Sequence, residues 1–136
     1  MRVFIDSSAI VALNDSDDPL HKDAKKVLEN RLSNTFESFL STNIILESVT
    51  LISQRVGKKE GVLLLDELRS GIYTIINPDA TLIQEAESLF RSIPSKNVSY
   101  SDCVSFVVMR RYGINWVFSF DPHFRKQGFK RVGIDR

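Results

Sequence analysis

The sequence predicts an α/β protein: a three-layer α/β/α sandwich around a mostly parallel central sheet. Short apolar runs alternate along the chain with amphipathic segments of ten or more residues. Connections of that length are typical of crossovers between parallel strands, and continuous apolar runs are typical of strands buried on both faces. With 136 residues, 43% of them hydrophobic, the chain has the size of one domain spanning residues 1–136.

The strands are predicted from runs of β-branched, aromatic and other apolar residues. The first, residues 2–5, ends at Asp6, and the fourth, residues 116–120, ends at Asp121. The remaining predicted strands are residues 35–40, 72–76 and 130–134. Because ligands bind beyond the carboxyl ends of parallel strands, Asp6 and Asp121 both fall where a site is expected.

Capping residues and glycines set the bounds of the helices. Asp17-Asp18-Pro19, Ser41-Thr42-Asn43 and Asn77-Pro78-Asp79 are typical helix starts, and Gly57 and Gly113 are typical helix ends. The predicted helices cover about residues 7–13, 19–32, 43–56, 58–70, 80–92 and 99–112, with a short helical turn after Asp121-Pro122. The fourth carries an unusually wide apolar block, which predicts packing on two sides: Val62, Leu63, Leu64, Leu65 and Leu68.

The composition predicts a soluble protein of the reducing cytoplasm. No uncharged run exceeds about nine residues, well below the ~20 needed to cross a bilayer, so we expect neither a membrane span nor an export signal. Cys103 is the single cysteine, which excludes an intrachain disulfide. With His21 and His123 it is too scattered along the chain to indicate a zinc site.

The charges are balanced overall but not along the chain. Eighteen basic and 17 acidic residues give a net charge of +1, whereas residues 110–136 carry seven bases against Asp121 and Asp135, about +5. Such a segment can hold RNA phosphates, or it can be an ordinary solvated surface. The candidate phosphate contacts are Arg110, Arg111, Arg125, Lys126 and Lys130.

Four acidic residues have structural interpretations when each is taken alone. Asp6 and Asp121 can cap the helices that follow them. Asp102 stands three residues after Ser99, the spacing of a capping box. Glu47 lies in an apolar stretch, on a helical stripe that could face water.

Taken together, the four acids and their surroundings resemble the PIN-domain nucleases, in particular the small VapC-type toxins of toxin–antitoxin pairs. The resemblance spans essentially the whole chain and is carried by residues 3–8, 43–50, 101–106 and 118–124, followed by Gly128. In that family a hydroxyl or amide side chain usually stands two positions after the first Asp, as Ser8 does here. A Thr usually precedes the last Asp by two positions, and this chain has Ser119 instead.

Carboxylates without His or Cys partners favour hard divalent cations, so we expect Mg²⁺ or Mn²⁺. The predicted ligands are Asp6, Asp102 and Asp121, with Glu47 either a ligand or the holder of a metal-bound water. Ser8 and Ser119 would support them through hydroxyl groups. Ions in this site would help to cleave a phosphodiester bond by activating water and by neutralising the departing oxygen.

The resemblance implies a metal-dependent endoribonuclease that cleaves RNA, with tRNA as one candidate target, and that is restrained by a cognate antitoxin protein. Toxins of this type are usually homodimers, and the apolar helix over residues 58–70 could contribute to either interface. The alternative function is a non-catalytic PIN-like adaptor that binds RNA or protein. Phosphatase or phosphorelay chemistry is disfavoured, because the Asp6-Ser7-Ser8 segment lacks the second Asp that aspartyl phosphatases use.

Four further residues have simpler interpretations. His123 is close to Asp121 and could be a general base, but its place in a capped turn favours a surface residue. Cys103, Trp116 and Phe118 are interpreted as core residues, because each lies in an apolar segment.

Overall fold

The computed structural model describes residues 1–32 and 36–136, and within them the chain forms five strands and seven helices. The strands are β1 (Arg2–Ile5), β2 (Glu37–Ser41), β3 (Thr74–Ile76), β4 (Trp116–Phe118) and β5 (Lys130–Arg131). The helices are α1 (Ser7–Asn14), α2 (His21–Arg31), α3 (Thr42–Arg55), α4 (Lys58–Leu68), α5 (Ala80–Ser92), α6 (Tyr100–Arg111) and α7 (His123–Lys126). The α/β class is confirmed.

The strands form one parallel sheet in the order β3-β2-β1-β4-β5 within the described residues. β1 is central and pairs with β2 on one side and with β4 on the other. Neighbouring residues of a strand point to opposite faces, and both Val3 and Phe4 are fully buried. Helices therefore cover both faces of the sheet, as the predicted three-layer sandwich requires.

The predicted strands are in the right places but several of their ends are wrong. β4 stops at Phe118 rather than at residue 120, because the next N–H groups bond to side chains: Phe120 N–H donates to Ser8 Oγ and Asp121 N–H donates to Ser119 Oγ. β5 has two residues, and the chain turns away at Gly133, whose φ is +77°. β3 begins at Thr74, two residues later than predicted. Thr35, predicted to begin the second strand, lies outside the described residues.

α3, α5 and α6 begin after the predicted caps Ser41, Asp79 and Ser99. The predicted start of α2 at Asp17-Asp18-Pro19 was wrong, because the helix begins at His21 and its N-cap is Leu20. Asp79 accepts a hydrogen bond from Leu82 N–H at 2.8 Å, as an N-cap does. α3 and α4 lie against each other, and Gly61 allows this approach because a Cβ there would overlap Ser53. None of the helices in the described ranges is long and apolar enough to cross a membrane.

One expectation for α4 was wrong within this chain. Its face with Gly61, Leu64 and Leu68 is buried, but the remaining apolar residues are exposed. Val62 and Leu63 have exposed fractions of 45% and 58%, so α4 packs on one side only. The wide apolar block leaves a second face uncovered.

Candidate active site

The candidate site lies where the order of the sheet reverses. From β1 the chain goes outward through β2 and β3, whereas β4 and β5 lie on the other side of β1. In open parallel sheets this reversal leaves a crevice between the loops that follow the two strands. Asp6 directly follows β1 and Asp121 closely follows β4, and Asp6 N–H donates to Phe118 O at 3.0 Å. The topology thus brings together residues more than 100 positions apart.

Asp6 is a buried carboxylate that two serines hold. Ser8 Oγ and Ser119 Oγ donate to the same oxygen, Asp6 Oδ2, at 2.8 and 2.7 Å. Asp6 is only 4% exposed, and burial, partly offset by these two bonds, raises its pKa to about 7. The charges of Asp102 and Glu47 raise this pKa further. The interpretation of Asp6 as a helix cap was wrong, because its side chain makes no capping bond to α1.

Asp102 is fixed by the capping box that the sequence predicts. Its carboxylate accepts a hydrogen bond from Ser99 N–H at 2.9 Å, while Ser99 Oγ accepts one from Asp102 N–H at 3.0 Å. Burial raises the pKa of Asp102, and the charges of Asp121 and Glu47 act in the same direction. The capping role and a role in the site are therefore compatible.

Glu47 is half-buried and hydrogen-bonded to α6, so it is not the freely solvated residue that its helical stripe allowed. Ser101 Oγ donates to Glu47 Oε2 at 3.1 Å, which connects α3 to α6. One turn earlier on α3, Asn43 Nδ2 donates to Ser101 O at 3.0 Å and to Ser105 Oγ at 3.1 Å. These bonds fix the relative positions of the two helices that carry Glu47 and Asp102.

Asp121 is held by the turn that follows it. Its Oδ1 accepts a hydrogen bond from His123 N–H at 2.8 Å and lies 2.7 Å from His123 Nδ1. The interpretation of His123 as an ordinary surface residue was wrong, because its side chain is only 16% exposed. Ser119 connects the backbone of Asp121 to the carboxylate of Asp6, since its hydroxyl donates to Asp6 Oδ2 and accepts from Asp121 N–H.

All four predicted carboxylates line one cleft of about 380 Å³. Its lining residues are Asp6, Ser7, Ser8, Val11, Asp18, Leu20, Glu47, Leu51, Arg55, Ser99, Asp102 and Asp121. Across the described ranges, no three His, Cys, Asp or Glu side chains stand close enough together to hold one ion as they lie. The donor set nevertheless fits a hard divalent cation: it offers carboxylate oxygens, and no hydrogen bond within the described residues reaches Asp6 Oδ1.

The five candidate phosphate contacts lie outside this cleft. Arg110 donates to Gln127 and lies over the ring of Phe129, and Arg111 forms ion pairs with Asp79 and Glu85. Lys130 lies over the ring of Trp116. Arg125 and Lys126 are exposed at the end of α7.

Sequence reasoning missed two charged residues of the cleft, Asp18 and Arg55. Arg55 Nη1 lies 3.3 Å from Asp18 Oδ2. A signal was available for Arg55: it follows Glu47 by eight residues, and Leu51 lies midway, so the three share one face of α3. No comparable local pattern indicates Asp18, which precedes α2.

Comparison with known proteins identifies relatives that span nearly the whole chain. The 23S rRNA-specific endonuclease VapC20 of Mycobacterium tuberculosis is 27% identical over 130 residues, which cover 96% of this chain and 97% of that protein. Ribonuclease VapC26 of the same species is 24% identical over 119 residues, with coverages of 88% and 86%.

Solved structures of related proteins have the same fold as this chain. The crystal structure of Mycobacterium tuberculosis VapC20, described as a sarcin–ricin loop cleaving toxin, matches with a TM-score of 0.85 and covers 93% of this chain and 95% of that one. VapBC2 from Rickettsia felis, bound to a DNA fragment from its promoter, shares the fold at a TM-score of 0.63 and 12% identity, with coverages of 96% and 97%. The PIN-domain family model matches residues 3–130, and the chain therefore belongs to the PIN-domain family.

Proposed function

We propose that this protein is a divalent-metal-dependent endoribonuclease and the toxin of a type II toxin–antitoxin pair. The observation that carries the proposal is the meeting of Asp6, Glu47, Asp102 and Asp121 in one cleft, at the reversal point of the sheet. Repulsion within such a group opposes folding unless a cation offsets it. The relatives named as ribonucleases support the same reaction class.

Nucleases of this family generally use a divalent metal ion. We assign Mg²⁺ or Mn²⁺ to this cleft, because its donors are carboxylate oxygens. Asp6, Asp102 and Asp121 would hold the ion, and Glu47 would be a further ligand or orient the attacking water. When bound, the ion would acidify that water and stabilise the negative charge that develops on the phosphate.

The surrounding groups prepare each carboxylate for this role. Ser8 and Ser119 occupy one oxygen of Asp6, which leaves Oδ1 as the oxygen available to a ligand. Ser101 orients Glu47 through a hydrogen bond of 3.1 Å. A nearby cation favours the ionised form of Asp6, so the pKa of about 7 falls when an ion binds.

For the substrate and partners we propose RNA, a cognate antitoxin protein and a second copy of this chain. The relative VapC20 acts on 23S rRNA, which makes the sarcin–ricin loop the first RNA to test, with tRNA as the second. The exposed apolar residues of α4 are candidates for an interface: Val62, Leu63 and Leu65. An area of exposed apolar side chains on one helix is typical of a surface that a partner covers.

The test is cleavage of total RNA and of a labelled sarcin–ricin hairpin, with mapping of the new 5′ ends. We expect cleavage in Mg²⁺ or Mn²⁺, none in EDTA, and a loss of at least about a hundredfold in Asp102→Asn, since it alters a proposed metal ligand. Because the Asn side-chain oxygen can still accept the hydrogen bond from Ser99 N–H, we expect this variant to fold. Asp66→Asn, which changes an exposed acid on α4, is the matched control.

Two results would contradict the proposal. Cleavage that persists in Asp102→Asn would place the chemistry elsewhere. RNA binding by the wild-type protein with no cleavage in either metal would favour the non-catalytic adaptor.

A further inference from the structure

The cleft extends well beyond the four carboxylates, along α3. Glu47, Leu51 and Arg55 follow at intervals of four residues and all line it. At a rise of ~1.5 Å per residue, the Cα of Arg55 lies about 12 Å along the helix from that of Glu47. The cleft therefore has an acidic end at Glu47 and a second end at Arg55.

The wall between these two ends is apolar. Val11 of α1, Leu51 of α3 and Leu20, just before α2, contribute the apolar side chains that line the cleft. α1 and α3 follow neighbouring parallel strands and lie against each other. The two helices therefore run side by side away from the end of the cleft that carries the four carboxylates. An apolar wall of this kind suits the face of a ribose or a base rather than another ion.

Arg55 is the cation among the residues that line the cleft. Its side chain is 48% exposed, and its contact with Asp18 uses Nη1 alone. Asp18 is 12% exposed and is itself held, because its other oxygen accepts a hydrogen bond from Leu20 N–H at 2.8 Å. The guanidinium is thus oriented by a fixed carboxylate while other N–H groups remain available to an anion.

We propose that the Arg55 end of the cleft is a substrate subsite for the nucleotide next to the cut, with a backbone phosphate on Arg55. The nucleoside lies against Val11, Leu20 and Leu51, and Asp18 holds the guanidinium in place. This inference rests on the proposed ribonuclease function and adds a positioning residue to it. Five carboxylates line the cleft, so a polyanion needs a cation there beyond any bound at the carboxylate end.

The first experiment compares Arg55→Gln with Arg69→Gln, an equal charge change on an exposed arginine outside the cleft. The substrate is the shortest RNA fragment that contains the cleavage site mapped on total RNA. We expect Arg55→Gln to raise KM about tenfold with little change in kcat, the loss of one charge-assisted contact. A plot of the logarithm of the RNA-binding constant against the logarithm of the salt concentration should become less steep by about 0.7. This is the change expected for the loss of one phosphate contact on a single strand.

Asp18→Asn separates this role from a purely structural ion pair. Asn keeps the acceptor for Leu20 N–H but no longer holds the guanidinium in place, so we expect KM to rise two- to threefold, less than in Arg55→Gln. A purely structural pair would instead give both variants the same loss of stability and no change in KM. Two further substrates, one shortened by a nucleotide at the 5′ end and one at the 3′ end, should show which phosphate Arg55 contacts. The substrate that lacks this phosphate will be cleaved equally by wild type and Arg55→Gln.

Binding provides a readout that does not depend on cleavage. In the Asp102→Asn background, anisotropy of a labelled 12-nucleotide RNA should show weaker binding when Arg55→Gln is added. Equal affinity and an equal KM would overturn the subsite while leaving the nuclease function intact. A wild-type protein that cleaves nothing would instead count against the proposed function, and the anisotropy result would still decide the role of Arg55.

Discussion

The acidic cleft and the basic C-terminal segment handle charge in opposite ways. In residues 110–136 two bases form close ion pairs: Arg131 pairs with Asp135 at 2.9 Å, and Arg111 pairs with Asp79 and Glu85. Hydrogen bonds and the charge of Arg131 lower the pKa of Asp135. In the cleft, burial raises the pKa of Asp6 and that of Asp102. The ionised form of aspartate is thus stabilised in the basic C-terminal segment and destabilised in the acidic cleft.

This difference shows which charges serve the fold. Paired charges such as Arg131 and Asp135 offset each other within the chain. The buried carboxylates of Asp6 and Asp102 lower stability unless a bound cation offsets them. Sites that bind or react often contain groups that are unfavourable for the isolated fold. The contrast between paired and unpaired charges leads to three predictions.

The largest effect concerns the stability of the metal-free protein. The pKa of Asp6 is about 7 in the folded state and 3.8 as the reference value, so the folded protein retains a proton that the unfolded chain loses between these pH values. The free energy of unfolding should therefore fall from pH 4 to pH 8, by at most about 4 kcal/mol from this group. Urea unfolding in EDTA at pH 5 and pH 8 measures it.

Asp6→Asn is the variant that isolates this contribution. It should flatten the dependence on pH, whereas Asp66→Asn should retain it, and Mn²⁺ should reduce it in the wild type. Asp135, whose pKa is lowered, loses its contribution only below pH ~4, outside this window. Equal slopes for wild type and Asp6→Asn would show that Asp6 is not held neutral.

The second effect concerns the hydroxyl that orients Asp6. Ser119→Ala removes a donor at 2.7 Å, and we expect affinity for Mn²⁺ to fall tenfold to a hundredfold by calorimetry. Ser48→Ala is the matched control, because Ser48 is equally buried and its Oγ has no hydrogen-bond partner within the described residues. If both variants bind the ion equally, Ser119 has no role at the site.

The smallest effect concerns the basic segment. Arg125 is 74% exposed and its nearest acid, Asp135, lies 4.0 Å away, so the guanidinium is accessible to RNA. Arg125→Gln combined with Lys126→Gln should raise KM two- to fivefold at low salt, and Arg111→Gln should raise it less, because two acids already pair with that residue. A larger effect of Arg111→Gln, measured across a salt series, would reverse this order.

The parts of the site that depend on topology were predictable from the sequence. A parallel sheet places the carboxyl ends of its strands at one edge, so the sequence alone predicts that Asp6 and Asp121 lie close together. The Ser99–Asp102 capping box is a local pattern and was predicted from spacing alone. The first prediction follows from the topology of a parallel sheet, and the second follows from the spacing of residues within one helical turn.

Contacts between helices were not predictable in this way. The bond from Ser101 to Glu47 joins residues 54 positions apart, and no local pattern indicates which face of α3 meets α6. The turn after β4 shows the same limit, because Ser8 and Ser119 take the N–H groups that a longer strand would have used. Such pairings depend on three-dimensional packing, which one sequence does not reveal.

The central position of β1 determines when the site can exist during synthesis. β1 obtains its second neighbour only from β4, more than 100 residues later, and the Asp6–Phe118 backbone bond forms with it. A ribosome must therefore translate at least as far as β4 before the cleft can close. A chain released before β4 would carry Asp6, Glu47 and Asp102 but would lack both Ser119 and Asp121, so its cleft would be incomplete.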